Sequence, residues 1–363
     1  MAEIQGSTFD SLMLFKISIA NDGEARAFVR LLREVRRSRR SAFSEGSHSN
    51  LRSQFRSYFA FCFKFRRTPL PADIDTVCAY AQFLSRSVKH GTIANYLSGL
   101  KMLHILLGYP YPFTGDPSLR LLLRGLHRLN PHVPNRAPPI TPAHLLQVHA
   151  HLDHQDSLEC TVFACTLFLF FTLSRVGSVL PRSAKKAKSS RSLSKSLTRD
   201  RVDLRHPDFA IVTFLHTKTI QFGQRVLQIP LLRSDTALCP VAAYKHALDL
   251  VRSSRHLAAF SYSDAGGHIL PLLPRGFIDV FRRLLVRAGV QDAHRFRGHS
   301  FRRGGASWAF DCGVPGELIQ IMGDWKSDAY RVYLEFSLSS KVTIAQRLVS
   351  RLPVIASHSS TFM

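Results

Sequence analysis

At 363 residues the chain is longer than one compact core usually needs, which predicts two domains. Hydrophobic residues make up 45%, including 26 phenylalanines, enough for real cores and too many for a disordered chain. Lys and Arg number 49 against 25 Asp and Glu, a net charge of +24 that draws polyanions, and it points to nucleic acid ahead of an anionic membrane or a solubilising surface.

Six cysteines (Cys62, Cys78, Cys160, Cys165, Cys239 and Cys312) are scattered with no C-x-x-C pair, which argues against a disulfide scaffold and for reduced thiols inside a cell. Residues 1–10 are acidic and polar rather than basic-then-apolar, so no secretory leader is expected. The most apolar run, residues 160–173, is too short to cross a bilayer and reads as a buried core helix.

Residues 1–44 read as a basic arm, with Arg30, Arg33, Arg36, Arg37, Arg39 and Arg40 close together. The pattern suits a phosphate-binding arm, a nuclear import signal or a solvated helix face. Residues 45–131 predict a bundle of four short helices. Phe55, Tyr58, Phe59, Phe61, Cys62 and Phe65 recur at helical spacing, and Pro69 and Pro71 end that helix. A second helix begins near Asp73; Gly91 breaks it and Thr92 caps a third, carrying Ile93, Tyr96, Leu97, Leu100 and Leu103. A fourth, basic helix bears Leu119, Leu122, Leu123 and Leu126. Arg52, Arg56, Lys89, Lys101 and Arg124 are the candidate DNA-gripping residues of this bundle.

Four prolines within residues 132–142 exclude helix and central strand, so residues 132–140 predict an extended linker, after which Thr141 caps a helix starting at Pro142. Residues 141–352 form the second domain and residues 353–363 a flexible tail. Within the second domain, residues 181–201 are basic and Ser-rich, a predicted mobile loop whose Lys185 and Lys186 are further candidate DNA contacts. Residues 210–216 and 225–230 alternate in polarity about Gly223, predicting a hairpin; from residue 241 onward the sequence reads as helices. His149, His151 and His154 suggest a metal site only superficially, because H-x-H on a helix points its rings apart.

Four separated segments offer side chains that handle phosphate. The first holds Arg175 at the end of the apolar helix, costly to bury unless it meets an anion. The second is Thr217-Lys218-Thr219 in the hairpin connection. The third, Gly298-His299-Ser300-Phe301-Arg302-Arg303-Gly304-Gly305, sets His299 and Arg302 three apart on one helix face, with two glycines allowing close backbone approach. The fourth runs Gly323-Asp324-Trp325 through Tyr330 and Tyr333.

In that order these segments resemble the tyrosine recombinase (phage integrase) family, most nearly the recombinases of DIRS-type and Crypton-type eukaryotic mobile elements. The resemblance extends over residues 45–350 and implies a mainly α fold with a small antiparallel sheet, a helical core-binding domain joined to a catalytic domain. It implies Tyr333 as the nucleophile, ten residues after Gly323, with Tyr330 the competitor one turn earlier. Arg175 and Arg302 would clamp the scissile phosphate, Lys218 would protonate the leaving oxygen, and His299 would act as acid, base or donor. Alignment on the glycine puts Asp324 where the family has a His or Trp donor; its charge would repel phosphate, which favours Trp325. The family's acidic residue three positions after the first arginine is here Ser178.

The chemistry accounts for these residue types. Attack on a phosphodiester builds negative charge on the equatorial oxygens, where forked guanidiniums suit better than ammonium groups. Tyrosine needs a cationic pocket or a base to become nucleophilic at neutral pH, and a 5′-oxygen leaves poorly without a proton. The phosphotyrosyl bond retains the energy of the cut, so no cofactor, ATP or metal is expected. The resemblance further implies double-stranded DNA as partner, two domains closing on the duplex, and a nuclear location in a eukaryote. The amphipathic segment 341–351 would link a dimer to tetramer on DNA. Two rival readings are a type IB topoisomerase and a domesticated, non-catalytic DNA-binding protein.

Overall fold

The computed structural model describes residues 23–111, 113–131, 135–184, 195–252 and 254–334, with 342, 345, 346, 349 and 350. Lys185 and Lys186 lie outside the described residues, as do linker residues 132–134, most of segment 341–351 and the tail 353–363. The chain forms two compact units, residues 1–135 and 136–363.

The first described element of the first unit is the basic helix α1 (Gly23–Ser41). Four helices follow: α2 (Glu45–Lys64), α3 (Ile74–Ser85), α4 (His90–Leu107) and α5 (Pro117–Leu129). Their starts are written in side chains. The Ser44 hydroxyl accepts the Ser47 N–H, the Asp73 carboxylate that of Thr76, and the Asp116 carboxylate that of Leu119, each satisfying an amide with no partner inside its helix. The cap position of α4 is Lys89, three residues before the expected Thr92. Gly91 lies in its first turn and does not interrupt it. The core joins Tyr58, Phe61, Val77, Tyr80, Ile93 and Leu100, with the Tyr58 and Tyr80 rings edge-on at 5.1 Å. His104, fully buried, accepts the Ala72 N–H at 3.1 Å through Nε2 and donates from Nδ1 to the Leu100 carbonyl at 2.9 Å, a satisfied core histidine.

The second unit is built round α7 (Ser157–Phe171), in which every residue from Cys160 to Phe170 is buried. A helix apolar on all sides must be central, and its neighbours enclose it. These are α9 (Pro240–Leu250), α10 (Pro274–Arg287), α11 (Gly298–Asp311) and the strand pair described below. Helix α6 (Pro142–Ala150) starts with Thr141 and His144 capping each other's amides. The four-residue α8 is Val176–Val179, and α12 is Gly316–Met322. Residues 136–140 lie extended on α11: the Ile140 N–H donates to the Ser300 carbonyl at 3.1 Å and Arg303 Nη1 to the Ala137 carbonyl at 3.0 Å. Two glycines make the close packing possible. A Cβ at Gly304 would overlap the Ile140 carbonyl, and one at Gly305 the Phe170 carbonyl at the end of α7.

The sheet is antiparallel in the order β1 (Val202–Asp203), β2 (Phe209–Phe214), β3 (Leu227–Leu232). Val212 faces Ile229 across the β2–β3 ladder, and alternate residues of β2 are buried. The strands close sooner than the sequence suggested, so the connecting loop is longer, residues 215–226. Pro230 is accommodated because β3 is an edge strand. The expectation of helices alone after residue 241 is overturned by a second hairpin, β4 (Ser261–Ser263) with β5 (Ile269–Pro271). Three-residue strands are too short to give a readable alternation. The fold is thus mainly α with small antiparallel sheets, and no helix among the described residues is long and apolar enough to cross a membrane.

Candidate active site

All six candidate catalytic residues belong to the second unit, and they come from four places in its sequence. Helix α7 ends in a turn in which Leu173 takes φ 52, a left-handed conformation rare for a bulky side chain. The turn presents the Leu173 carbonyl inward and is followed by Arg175, the N-cap of α8. Arg175 is partly buried and has no carboxylate or carbonyl partner among the described residues.

Arg302, on α11, is 1% exposed and the largest fully buried side chain. Its Nη1 donates to the Leu173 carbonyl and its Nη2 to the Gly323 carbonyl at 2.7 Å. Its guanidinium carbon lies 3.5 Å from the Trp325 ring centroid and 5.7 Å from that of Tyr333. Burial, and then the charge of Arg175, pull its pKa from 12.5 down to about 9. A buried cation hydrogen-bonded to two carbonyls and to no carboxylate, with Asp324 acting on it only through space and a second unpaired cation nearby, is an electrostatic demand for a further anion.

Residues 323–325 complete the pocket floor. Gly323 is required there because a Cβ would overlap the folded-back Trp325 ring. Trp325 is 7% exposed, and its Nε1, like Nε of Arg302, is buried without a partner. Unpaired buried donors are costly, and each is a place for an incoming acceptor. Asp324 turns the other way. Its carboxylate accepts from the hydroxyls of Thr217 at 3.1 Å and Thr219, and pairs with Arg225. Desolvation opposes its ionisation, but bonds from Thr219, Arg225 and Thr217 outweigh this and hold its pKa below the ordinary carboxylate value. A small cavity bordered by Arg175, Ser178 and Arg302 has Asp324 as its single carboxylate. The buried Ser178 adds a hydroxyl there and no second carboxylate.

Lys218 stands exposed on the 215–226 loop, near enough to act on His299. His299, at the first turn of α11, keeps an exposed edge. Partial desolvation and the charges of Arg175, Arg302 and Lys218 hold its pKa below the usual histidine value. The Tyr333 hydroxyl is 3.3 Å from His299 Nδ1, and its backbone carbonyl accepts from Ser307 at 3.1 Å. Tyr330 is in a different situation: 4% exposed, it packs with Leu173, Ala306, Ile319 and Trp325.

The structure therefore gathers Arg302, Trp325, His299 and Tyr333 in direct contact, with Arg175 and Lys218 within electrostatic reach. Five of the seven candidate DNA contacts belong to the first unit, and the other two, Lys185 and Lys186, lie outside the described residues. Arg52, Arg56, Lys89 and Arg124 are exposed, whereas Lys101 is half-buried with Nζ 6.0 Å from the Tyr111 ring centroid. His149, His154 and His246 cluster at ring distances of 5.2 and 6.1 Å, yet no group among the described residues is placed to hold a metal ion. Sequence reading did not find the part played by Asp324, because its partners lie about a hundred residues away and nothing local announces them.

No family model matches the chain, and no curated protein matches it in sequence. Solved structures do match its fold. Lambda integrase, in a dimer bound to a COC′ core site, is 15% identical over 84% of this chain and 94% of that chain, with a TM-score of 0.52. The Tn1549 transposon integrase in complex with transposon right end DNA is 12% identical over 86% and 96%, with a TM-score of 0.52. XerH site-specific recombinase bound to palindromic difH substrate is 12% identical over 94% and 93%, with a TM-score of 0.51.

Proposed function

With the fold of the tyrosine recombinases as the premise, we propose that this chain is a site-specific DNA recombinase or integrase that cuts and rejoins duplex DNA through a 3′-phosphotyrosyl intermediate. The observation that carries the reading is the contact of Tyr333 with His299 beside two arginines that lack any carboxylate partner among the described residues. A scissile phosphate between Arg175 and Arg302 would supply the missing anion, with Trp325 Nε1 a further donor to it. Tyr333 Oη attacks phosphorus and passes its proton to neutral His299, and the bond to the 5′-oxygen breaks as Lys218 donates a proton to it. The burial of Tyr330 in the local core supports Tyr333 as the nucleophile.

Arg52, Arg56, Lys89 and Arg124 would hold the DNA backbone through the first unit, and segment 341–351 would join protomers into a dimer or tetramer on DNA. An origin in a DIRS-type or Crypton-type mobile element, and a nuclear site of action, belong to the same reading. The test is incubation of the protein with nicked duplexes that trap cleavage, in the presence of EDTA and without ATP. The reading predicts a covalent adduct resistant to denaturant, which Tyr333→Phe abolishes while DNA binding persists. Binding without any adduct across candidate sites would favour a non-catalytic DNA-binding protein. Relaxation of supercoiled plasmid without exchange between sites would favour a topoisomerase.

A further inference from the structure

Helix α12 ends in a turn that normally takes glycine. The Asp324 N–H donates to the Ile321 carbonyl at 3.1 Å and the Trp325 N–H to the Gln320 carbonyl at 3.1 Å, and Asp324 sits between them at φ 55. This double bond pattern with a left-handed residue just past the helix end is usually built on glycine, sometimes asparagine. The aspartate there is 8% exposed, and its side chain is fully engaged. Both carboxylate oxygens are in use: Oδ2 accepts from Thr217 and Thr219, and Oδ1 pairs with Arg225. Those three residues bracket Lys218 on the 215–226 loop. Within the loop, Thr217 Oγ1 also accepts the N–H groups of Thr219 and Ile220 at 3.1 and 3.0 Å, and the Ile220 side chain is fully buried. The residues on either side of Asp324 serve the other side of the site, since the Gly323 carbonyl holds Arg302 and the Trp325 ring supports its guanidinium.

We propose that Asp324 is a positioning residue, a latch that fixes the Lys218-bearing loop to the turn holding Arg302 and so sets where the Lys218 ammonium stands. The consequence for proton donation rests on the function proposed above. Asp324→Gly is the suitable variant because glycine suits the left-handed turn and removes the carboxylate with its methylene. In hydrogen–deuterium exchange on the full chain, amides within residues 217–225 should exchange at least about ten-fold faster in this variant, with the α12 amides unchanged. Asp324→Asn keeps acceptors for the two threonines and loses the ion pair, and should restore part of the protection. Unchanged exchange in the loop would overturn the latch.

Cleavage then tests its purpose. Asp324→Gly should slow adduct formation on an ordinary duplex and recover on one whose leaving 5′-oxygen is sulfur, and adding it to Lys218→Ala should slow cleavage no further. Equal defects on both duplexes would overturn the link to Lys218. If the wild-type chain cleaves neither duplex, the recombinase reading has failed, and the exchange result alone upholds or overturns the latch.

Discussion

Replacing Arg302 by methionine separates an arginine kept for a ligand from one kept for the fold. Methionine retains roughly the buried volume and removes the charge. Holding the guanidinium charged at a pKa of about 9 rather than 12.5 costs the folded chain about 5 kcal/mol. Against this, the substitution forfeits stacking on Trp325, about 2 kcal/mol when desolvated. It also strands the Leu173 and Gly323 carbonyls at about 1–3 kcal/mol each, with Gly323 bordering a cavity and so at the lower end. The two sides nearly cancel. Arg302→Met should therefore leave stability, measured by urea unfolding, within about 2 kcal/mol of wild type, while adduct formation falls by about 10²–10³-fold as for loss of one transition-state donor. Sulfate should raise the Tm of the wild type and not of the variant. A loss of about 4 kcal/mol or more, as when one partner of a buried pair is removed, would mean that the arginine is a structural tie and that the demand for an anion was misread.

Other outcomes follow from the same geometry. Lys218→Ala should slow cleavage strongly on an ordinary duplex and much less on one with a sulfur leaving group; equal defects would remove it as the proton donor. Because the pKa of His299 lies below the usual histidine value, the ring stays neutral as pH falls to about 6.5, and adduct formation should be lost only below that pH. The sign for stability is the same: the unfolded chain takes up the proton more readily, so the His299 contribution falls as pH drops below about 6.5. A pH–rate profile whose acid limb lies above 7, or survives unchanged in His299→Gln, would contradict this. Neutralising Arg52 and Arg56 together should flatten the slope of log affinity against log salt by about two units, and an unchanged slope would exclude them from the phosphate contacts.

What the sequence revealed, and what it hid, divides by range. The helix start near Asp73, the cap at Thr141 and the apolar run through α7 are local signals, and the elements they mark stand where they were expected. The short strands β4 and β5 carry no periodicity, and Gly91 misled because a glycine in a first helical turn is not a break. Within the site, arginine, histidine and tyrosine were visible as types suited to phosphate. Their arrangement was not: the stacking of Arg302 on Trp325 and the pairing of Asp324 with Thr217, Thr219 and Arg225 join segments far apart in sequence. The choice between Asp324 and Trp325 could not be made from alignment, because the two side chains leave the same turn for different partners.

The central claim is a covalent bond between DNA and Tyr333, and the sequence makes it directly measurable. Trypsin cuts after Lys326, Arg331 and Lys341, so Tyr330 falls in the peptide 327–331 and Tyr333 in the peptide 332–341. Adducts trapped on a nicked duplex, digested with nuclease and trypsin and sequenced by mass spectrometry, should carry the nucleotide on the 332–341 peptide, at its tyrosine. A nucleotide on the 327–331 peptide, or on a residue other than tyrosine, would contradict the account.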